Sequence, residues 1–318
     1  MACSAAARPG RFHSPDTRNP TPGTRCVIVF FNGEYIDKSQ ATVSVDDRGF
    51  LFGDGVYEVF RATEGEVFAA DRHFRRLARG LSLLELARPA ALSDAALLAA
   101  ARRLLQDNGL SRGDALVYLQ ITRGAAGPRA HQFPAGGTPP TVYLAASAFT
   151  PPDDVRTRGA SVVTTPDERW GRCDVKSIQL LPNVLAKQRA VRADAFEAVF
   201  VRDGRITEGA SANLFAVLGG TLRTHPADHH ILPGITREIL LEEAEQLGVA
   251  VIETAVTPKD LANAEEVFVT STSADVMPVV RVDGRPVGGG QPGPVTQRLH
   301  TALRALLSRT APAAARTP

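Results

Sequence analysis

A proline pair in the middle of the chain is the sequence feature that most limits how the chain can fold. The segment Thr150-Pro151-Pro152-Asp153-Asp154 interrupts regular structure, because proline lacks a backbone donor and restricts the residue before it. Strand and helix patterns continue on both sides of it, so we place an interdomain linker at 150–154. The linker separates a small N-terminal domain over 26–149 from a larger C-terminal domain over 155–308. A chain of 318 residues has the length expected of two domains.

Both parts of the chain mix strand patterns with helix patterns. In the first part, Asn32-Gly33 predicts a tight turn between two strands. Phe74, Leu77 and Leu81 follow at the spacing of an amphipathic helix, and Ser93 is a suitable N-cap for a second helix. In the second part, short strands alternate with helices. The pattern predicts an α/β fold, in the broad sense of an α+β mixture.

Composition excludes several classes of protein. The net charge is +2, which gives no basis for a nucleic-acid or membrane surface, so neither is expected as a partner. Hydrophobic residues are 44% and charged residues 22%, which is ordinary for a globular protein. The three cysteines, Cys3, Cys26 and Cys173, are widely spaced and form no disulfide framework. Reduced thiols of this kind favour a cytoplasmic location.

The two ends of the chain differ in composition from the rest. Residues 1–25 contain four arginines, four prolines and one acid, with no apolar period, and we expect a disordered extension. An organelle transit peptide is the alternative, although the amphipathic helix typical of such peptides is missing. The segment 309–318, rich in alanine, proline and threonine, is expected to be a disordered tail.

Two groups of residues resemble binding motifs but lack necessary members. Gly53-Asp54-Gly55 suggests a nucleotide-binding loop, but Glu58 stands where that motif requires glycine. His225, His229 and His230 lie close together, but the sequence supplies no further metal ligands at a recognisable spacing. We interpret these histidines as turn residues and expect no metal.

Lysine is scarce in this chain, which narrows the search for an amine nucleophile. The only lysines are Lys38, Lys176, Lys187 and Lys259. Lys176 precedes the apolar pair Leu180-Leu181, and a lysine in a partly apolar pocket can form Schiff bases. From this residue alone, a solvated surface lysine is the alternative interpretation.

A carboxylate and a candidate anion site follow Lys176 in the sequence. Glu208 stands among small residues that let a ligand approach the backbone closely. Gly234-Ile235-Thr236 opens a predicted helix, whose free amides can bind phosphate. Thr270-Ser271-Thr272-Ser273 adds a group of hydroxyls after a strand. A lysine, a carboxylate and a phosphate site are what pyridoxal 5′-phosphate requires.

These residues occur in an order that resembles the class IV, branched-chain-type aminotransferases, which are fold-type IV pyridoxal-phosphate enzymes. The resemblance extends over about residues 27 to 305 and is closest to the D-amino acid aminotransferases. The segments that carry it are Arg48–Glu58, Lys176-Ser177 with Asn183–Lys187, Glu208–Phe215, Leu222–Thr224 and Leu232–Arg237.

The resemblance implies a small domain, a larger domain and a cofactor between them. It assigns Lys176 as the Schiff-base lysine and proton carrier, and Glu208 as the partner of the pyridine nitrogen. Lys187 belongs to a motif that is structural in the family. The other implied cofactor-binding residues are Arg76, Ser211, Ile235, Thr236, Ser271 and Thr272.

The resemblance also implies how substrate is held. Arg129 and His131 match the loop that traps the substrate carboxylate in D-amino acid aminotransferases, reaching from the partner subunit of a homodimer. The remaining implied substrate-binding residues are Tyr57, Val59, Arg61 and Tyr118. Arg61 alternates with Tyr57 and Val59 on a strand, so it shares their face and either favours acidic substrates or faces solvent.

The resemblance predicts ping-pong transfer of an amino group from a D-amino acid of the D-alanine type to a 2-oxo acid of the 2-oxoglutarate type. Three other activities on the same fold stay open: an L-branched-chain aminotransferase, an aminodeoxychorismate lyase and an amine transaminase. A non-catalytic binding protein is disfavoured, because Lys176 and Glu208 together are needed only for chemistry.

Overall fold

The structure is a computed structural model that describes residues 26–89 and 91–310. The predicted extension 1–25 lies outside the described residues. Of the predicted tail, Arg309 and Thr310 end the last helix, and residues 311–318 lie outside the described part.

The first half of the chain forms a six-stranded antiparallel sheet. Its strands are β1 (Ile28–Phe31), β2 (Glu34–Asp37), β3 (Gly55–Thr63), β4 (Glu66–Val67), β5 (Asp114–Thr122) and β6 (Thr141–Ala148). Their spatial order is β2-β1-β6-β5-β3-β4. The predicted turn at Asn32-Gly33 joins β1 to β2, and both residues adopt the positive φ that such a turn requires.

Two helices cover one face of this sheet. The helices of the first half are a short 3₁₀ turn (Lys38–Gln40), α1 (Arg48–Phe52), α2 (Ala70–Leu83) and α3 (Asp94–Asp107). Phe74, Leu77 and Leu81 of α2 are buried against the sheet, as their spacing predicts. The Ser93 side chain accepts a hydrogen bond from the Ala96 amide, which makes it the N-cap of α3.

The second half forms a nine-stranded mixed sheet, with the path β12-β11-β10-β13-β14-β7-β8-β9 and β15 beside β14. Its strands are β7 (Ala160–Pro166), β8 (Glu197–Arg202), β9 (Arg205–Gly209), β10 (Asn213–Leu218), β11 (Thr221–Thr224), β12 (Val251–Glu253), β13 (Glu266–Ser271), β14 (Asp275–Val282) and β15 (Arg285–Pro286). Three pairs are parallel, namely β11 with β12, β14 with β7, and β7 with β8.

This sheet is buried on both faces. Its helices are α4 (Asp153–Arg158), α5 (Leu181–Arg192), α6 (Ile235–Gln246), α7 (Pro258–Ala262) and α8 (Pro294–Thr310). Phe215 belongs to the core formed with α6 and α8, whereas its neighbour Leu214 points into the core on the opposite face. Double burial explains why β10 and β13 read as continuous apolar runs without alternation.

The two sheets are joined where the proline pair predicts a boundary. Residues 149–152 have no regular structure, and α4 begins at Asp153, so the last two residues of the predicted linker are helical. None of the helices in the described part of the chain is long and apolar enough to cross a membrane.

Candidate functional site

A cavity of about 810 Å³ lies between the two halves of the molecule. Its walls come from both sheets and from the loops that follow β7, β9, β11 and β13. Of the predicted site residues, ten line it: Tyr57, Val59, Arg76, Lys176, Glu208, Ser211, Ile235, Thr236, Ser271 and Thr272. Concave sites of this size, with polar groups converging on one space, are where small ligands bind.

Lys176 lies on the loop after β7 and is held there by strand β3 of the other half. Its carbonyl oxygen accepts a 3.0 Å hydrogen bond from the Tyr57 amide. Val56 and Ser177 form an antiparallel bridge, and the Ile178 amide donates to the Gly55 carbonyl at 3.1 Å. The Lys176 Nζ atom lies 4.2 Å from the centre of the Tyr57 ring. The amine therefore stands on an aromatic wall of the cavity.

Glu208 lies near the end of β9 and is buried at the floor of the cavity. The Leu232 amide lies 3.1 Å from each of its carboxylate oxygens, and the Asn213 side chain donates to one of them at 2.9 Å. Arg169 donates a short hydrogen bond to the same carboxylate. Burial raises the pKa of Glu208 to about 7, against the opposing charge of Arg169. A cation placed against it from the cavity would hold it ionised.

Arg169 is a site residue that no sequence pattern identifies. It is buried beside Glu208, and its guanidinium also binds both oxygens of Asp167, at 2.9 and 2.8 Å. Burial alone would lower the pKa of Arg169, but these carboxylates raise it above the usual value. An arginine on an irregular loop, in an arginine-rich chain, carries no signal that would single it out.

The helix start predicted as a phosphate site is present and open. Gly234 is the N-cap of α6 and supplies no side chain, so the amides of Ile235 and Thr236 have no side-chain cap. Thr236 and Thr272 line the cavity at this point. The hydroxyl of Thr270 is buried and has no hydrogen-bond partner among the described residues. Uncapped amides and a free hydroxyl fit a bound phosphate.

Arg76 is aimed at this helix start by a buried carboxylate. Its guanidinium binds Glu58 with two hydrogen bonds of 2.8 and 2.7 Å and donates to the Pro233 carbonyl at 3.1 Å. His73 binds the same carboxylate at 2.7 Å. Burial alone would raise the pKa of Glu58, but Arg76 and His73 hold it at about 2. Glu58 therefore stays charged and fixes the guanidinium near the phosphate site.

Ser211 and Lys187 belong to one small network at the edge of the cavity. The Ser211 hydroxyl donates to Glu197 at 2.5 Å. The Lys187 amine pairs with the other oxygen of Glu197 at 3.4 Å and donates to the Phe196 carbonyl. Lys187 is thus bound away from the cavity, in the structural position expected for it.

Tyr118 lies beside Tyr57 on the same face of the first sheet, opposite Val59. Its ring lies 5.8 Å from that of Tyr57, and its hydroxyl donates to Gln120 at 2.6 Å. Burial raises its pKa to about 12, so the hydroxyl keeps its proton. Tyr118 touches Tyr57 and is not among the residues that line the cavity.

Arg129 and His131 are exposed and do not line the cavity of their own chain. Their loop is held by Arg48, which donates to the carbonyl oxygens of Ala130 at 2.7 Å and His131 at 3.2 Å. The Arg129 guanidinium lies 4.6 Å from the centre of the Phe52 ring. The backbone of the loop is fixed, while both side chains remain free to bind an anion.

The structure does not bring Arg61 to the cavity. It shares a face of β3 with Tyr57 and Val59, as the alternation predicts, but it is not among the residues that line the cavity. Arg61 is buried against the second half instead, 2.9 Å from Asp114 and 3.6 Å from Asp275. The expectation that Arg61 contacts substrate or solvent is corrected: it joins the two halves of the molecule.

The order of these elements around one cavity agrees with a known family. A family model described as amino-transferase class IV matches residues 55–282, more than half of the chain. The chain belongs to the class IV aminotransferases. The fold, the enzyme class and the family predicted from the sequence are therefore confirmed, and pyridoxal 5′-phosphate is the cofactor of class IV aminotransferases.

Two sets of relatives place the chain within the class IV aminotransferases. A protein named D-alanine aminotransferase from Bacillus licheniformis is 44% identical over 285 residues, which are 89% of this chain and 98% of that protein. Another of that name, from Staphylococcus haemolyticus, is 43% identical over 85% of this chain and 94% of that protein.

Among solved structures, the branched-chain amino acid aminotransferase of Escherichia coli has a TM-score of 0.82 and is 28% identical, covering 92% of this chain and 98% of that one. A second branched-chain amino acid aminotransferase, from T.th., was solved in complex with N-(5′-phosphopyridoxyl)-L-glutamate. It has a TM-score of 0.80 and 28% identity, over 91% of this chain and 96% of that one. These class IV enzymes share the whole two-part fold with this chain.

Proposed function

We propose that this aminotransferase transfers the amino group of a D-amino acid, of the D-alanine type, to a 2-oxo acid of the 2-oxoglutarate type. The observation that carries the proposal is the convergence of Lys176, Glu208 and the start of α6 on one cavity, from separate elements. The D preference is supported by relatives named D-alanine aminotransferase at 43 to 44% identity.

Lys176 is the proposed proton carrier of the reaction. When bound, pyridoxal phosphate supplies an electron-withdrawing ring that stabilises negative charge on the substrate Cα atom. The Lys176 Nζ atom takes the proton from that carbon as a general base. In the second half of the transfer it acts as a general acid and gives a proton to the corresponding carbon of the 2-oxo acid. Its backbone contact with Tyr57 fixes where the side chain begins and leaves the amine free to move between the two steps.

Glu208 and the helix start are proposed to bind the two ends of the cofactor. Glu208 holds the proton of the ring nitrogen, and the neighbouring Arg169 and Leu232 amide keep the carboxylate oriented. Arg76, the amides of Ile235 and Thr236, and the hydroxyls of Ser271 and Thr272 receive the phosphate. Ser211 contributes to the cavity wall through the hydroxyl that Glu197 orients.

A homodimer is proposed because Arg129 and His131 do not line the cavity of their own chain. Arg129 and His131 are exposed, and exposed apolar side chains surround the cavity mouth, with Phe50 at 72% and Leu181 at 69% exposure. Val184 and Leu185 on α5 extend this apolar surface. A partner chain that covered it would bring its own Arg129 to the substrate carboxylate. We further propose a cytoplasmic location, supported by the free thiols of Cys26 and Cys173.

Substrate preference tests the proposed activity. Purified enzyme, loaded with pyridoxal phosphate, is assayed with D-alanine, D-aspartate, L-leucine and L-valine, each with 2-oxoglutarate. We expect kcat/KM for D-alanine to exceed that for L-leucine by roughly a hundredfold or more, since L-leucine differs from D-alanine in both configuration and side chain. Equal or reversed values would assign the enzyme to the L-branched-chain group.

Mixed dimers test whether Arg129 binds the substrate in its own chain or in the partner chain. Neither Lys176→Ala nor Arg129→Leu alone is expected to be active at low substrate concentration. If Arg129 serves the partner's site, a random mixture of the two regains about a quarter of the wild-type sites, because half of the dimers are mixed and each has one complete site. No recovery, with mixed dimers verified by mass spectrometry, would show that Arg129 serves its own chain.

A further inference from the structure

We propose that His225, Asp228 and His230 form a binding site for a divalent transition-metal cation, separate from the cofactor cavity. The three residues lie on the loop between β11 and α6, and each offers one ligand atom within 4.8 Å of the others. The Asp228 carboxylate lies 3.5 Å from His230 Nδ1. His225 Nδ1 donates to the Pro226 carbonyl at 2.9 Å, so Nε2 is the nitrogen of His225 that remains for a metal. Two imidazoles and one carboxylate are a ligand set typical of zinc, cobalt and nickel.

The third member of the cluster differs from the one that the sequence pattern suggests. His229 is adjacent in sequence, but it is exposed and does not belong to the cluster. The turn brings Asp228 between the two histidines instead, because the Asp228 amide donates to the Pro226 carbonyl at 2.8 Å. The third ligand, which the spacing of the histidines does not reveal, is therefore a carboxylate within the same loop, two residues before His230.

The loop is fixed before any cation binds. The His230 amide donates to Asp228 Oδ1 at 2.8 Å, which orients the carboxylate and leaves its second oxygen free. Arg237 donates to the His225 carbonyl at 2.7 Å, anchoring the start of the loop to α6. His225 is buried, whereas the side chains of Asp228 and His230 are 37% and 31% exposed. A preformed cluster with one open side lets a cation enter without reorganising the chain.

The cavity beside the cluster has three acidic residues, Asp203, Asp228 and Glu253, against two arginines, Arg202 and Arg205. The nearby Arg202 is paired with Asp167 at 3.1 Å, and Arg237 is paired with Glu253. Among the described residues, the Asp228 carboxylate lies within 4 Å of the two imidazoles and is paired with no arginine or lysine. The cluster lies at the edge of this second cavity, which has a volume of about 370 Å³. That space accommodates the water ligands that complete the coordination of a three-residue site.

The far side of the same loop supports the floor of the cofactor cavity. The His230 carbonyl accepts a hydrogen bond from Arg169 at 3.1 Å, and the Leu232 amide binds Glu208. The site is nevertheless distinct, because none of the three proposed ligands lines the cofactor cavity. A cation bound only by the folded loop stabilises the folded protein by linkage.

Metal titration of the tag-free enzyme loaded with pyridoxal phosphate, without amino acids, tests the site. Binding of Zn²⁺ is measured by calorimetry, and binding of Co²⁺ by the visible d–d absorption of the bound ion. We expect one bound ion per chain and a raised unfolding temperature. Asp228→Asn keeps the shape of the side chain, and it and His230→Ala should each weaken binding roughly tenfold or more.

His229→Ala is the control, since it removes an exposed imidazole that does not belong to the cluster. The His229 ring packs 4.0 Å from the ring of His230, so we expect the affinity to change by no more than about threefold, against the tenfold loss in the ligand variants. Binding that His229→Ala weakens as much as Asp228→Asn would reduce the site to a surface histidine pair and overturn the proposal. Absence of stoichiometric binding by the wild-type enzyme would overturn it as well, without bearing on the aminotransferase reaction.

Discussion

The backbone amide of Tyr57 donates a 3.0 Å hydrogen bond to the carbonyl oxygen of Lys176. Tyr57 belongs to the first sheet and Lys176 to a loop of the second half, so this bond joins the two halves at the lysine proposed to carry the proton. The neighbouring bridge between Val56 and Ser177 continues the contact as a short antiparallel pairing. The position of the lysine is thus set by backbone, and its side chain remains free for chemistry.

Removal of the Lys176 amine should remove both the colour and the activity of the enzyme. Wild-type enzyme loaded with pyridoxal phosphate is expected to be yellow, and Lys176→Ala to lose this band. Its rate should fall by roughly a thousandfold or more, because the proton carrier is missing. Lys38→Ala, at an exposed lysine, should retain both properties. A yellow, active Lys176→Ala enzyme would assign the amine to another residue.

Glu58 should make the stability of the protein sensitive to acid. Its pKa is about 2 in the folded state, below the ordinary 4.5, so the charged carboxylate stabilises the fold above about pH 4.5. This stabilisation, up to about 3 kcal/mol for a buried group, is lost as the pH falls from 4.5 towards 2. The free energies of unfolding of the wild type and of Glu58→Gln, measured with urea, should therefore differ at pH 6 and converge towards pH 3. Glu34→Gln, at an exposed site, should show no such convergence.

Gly234→Ala should weaken cofactor binding without unfolding the protein. An added Cβ would overlap the Asn213 side-chain oxygen. Asn213 donates to Glu208 and to the Leu232 carbonyl, each at 2.9 Å, so its displacement disturbs the floor of the cavity. Overpacking of this kind costs roughly 1–3 kcal/mol. The readout is the dissociation constant of pyridoxal phosphate, measured by fluorescence quenching.

Gly289→Ala is the control for that substitution, since no heavy atom lies within 4 Å of its added Cβ. Its cofactor affinity should equal that of the wild type. An unchanged affinity in Gly234→Ala would mean that the helix start tolerates a side chain and does not seat the phosphate closely.

Local sequence signals predict much of the fold and the chemical groups of the site. The spacing of Phe74, Leu77 and Leu81 identifies α2, and the proline pair marks the boundary between the halves, because both depend on neighbouring residues. Motif order identifies Lys176 and Glu208, and both line the cavity. These are properties that a short stretch of chain carries by itself.

Long-range contacts are not accessible in the same way. Arg169 acts through Glu208, 39 residues away, and no spacing rule connects them. Alternation places Arg61 on the correct face of its strand, but the element facing it belongs to the other half of the chain. Periodicity gives the direction of a side chain and leaves its distant neighbour undetermined.

Arg61→Leu should destabilise the protein and leave its substrate preference unchanged. The substitution removes the cation that Asp114 shares with the buried Asp275. Asp275 keeps Arg156 at 3.5 Å and Arg304 at 3.6 Å, so we expect a loss of roughly 1–3 kcal/mol. Burial already raises the pKa of Asp275, so the carboxylate depends on its arginine neighbours for charge. Because Arg61 does not line the cavity, the ratio of kcat/KM for D-aspartate over D-alanine should stay within about twofold of wild type.

Arg61→Lys keeps a positive charge and should recover part of the lost stability, as measured by urea unfolding, because a single ammonium replaces only some of the guanidinium contacts. A selective loss of activity towards D-aspartate in the leucine variant would contradict this placement. Such a loss would return Arg61 to the substrate site, since an arginine that bound a side-chain carboxylate would discriminate acidic substrates by its own charge.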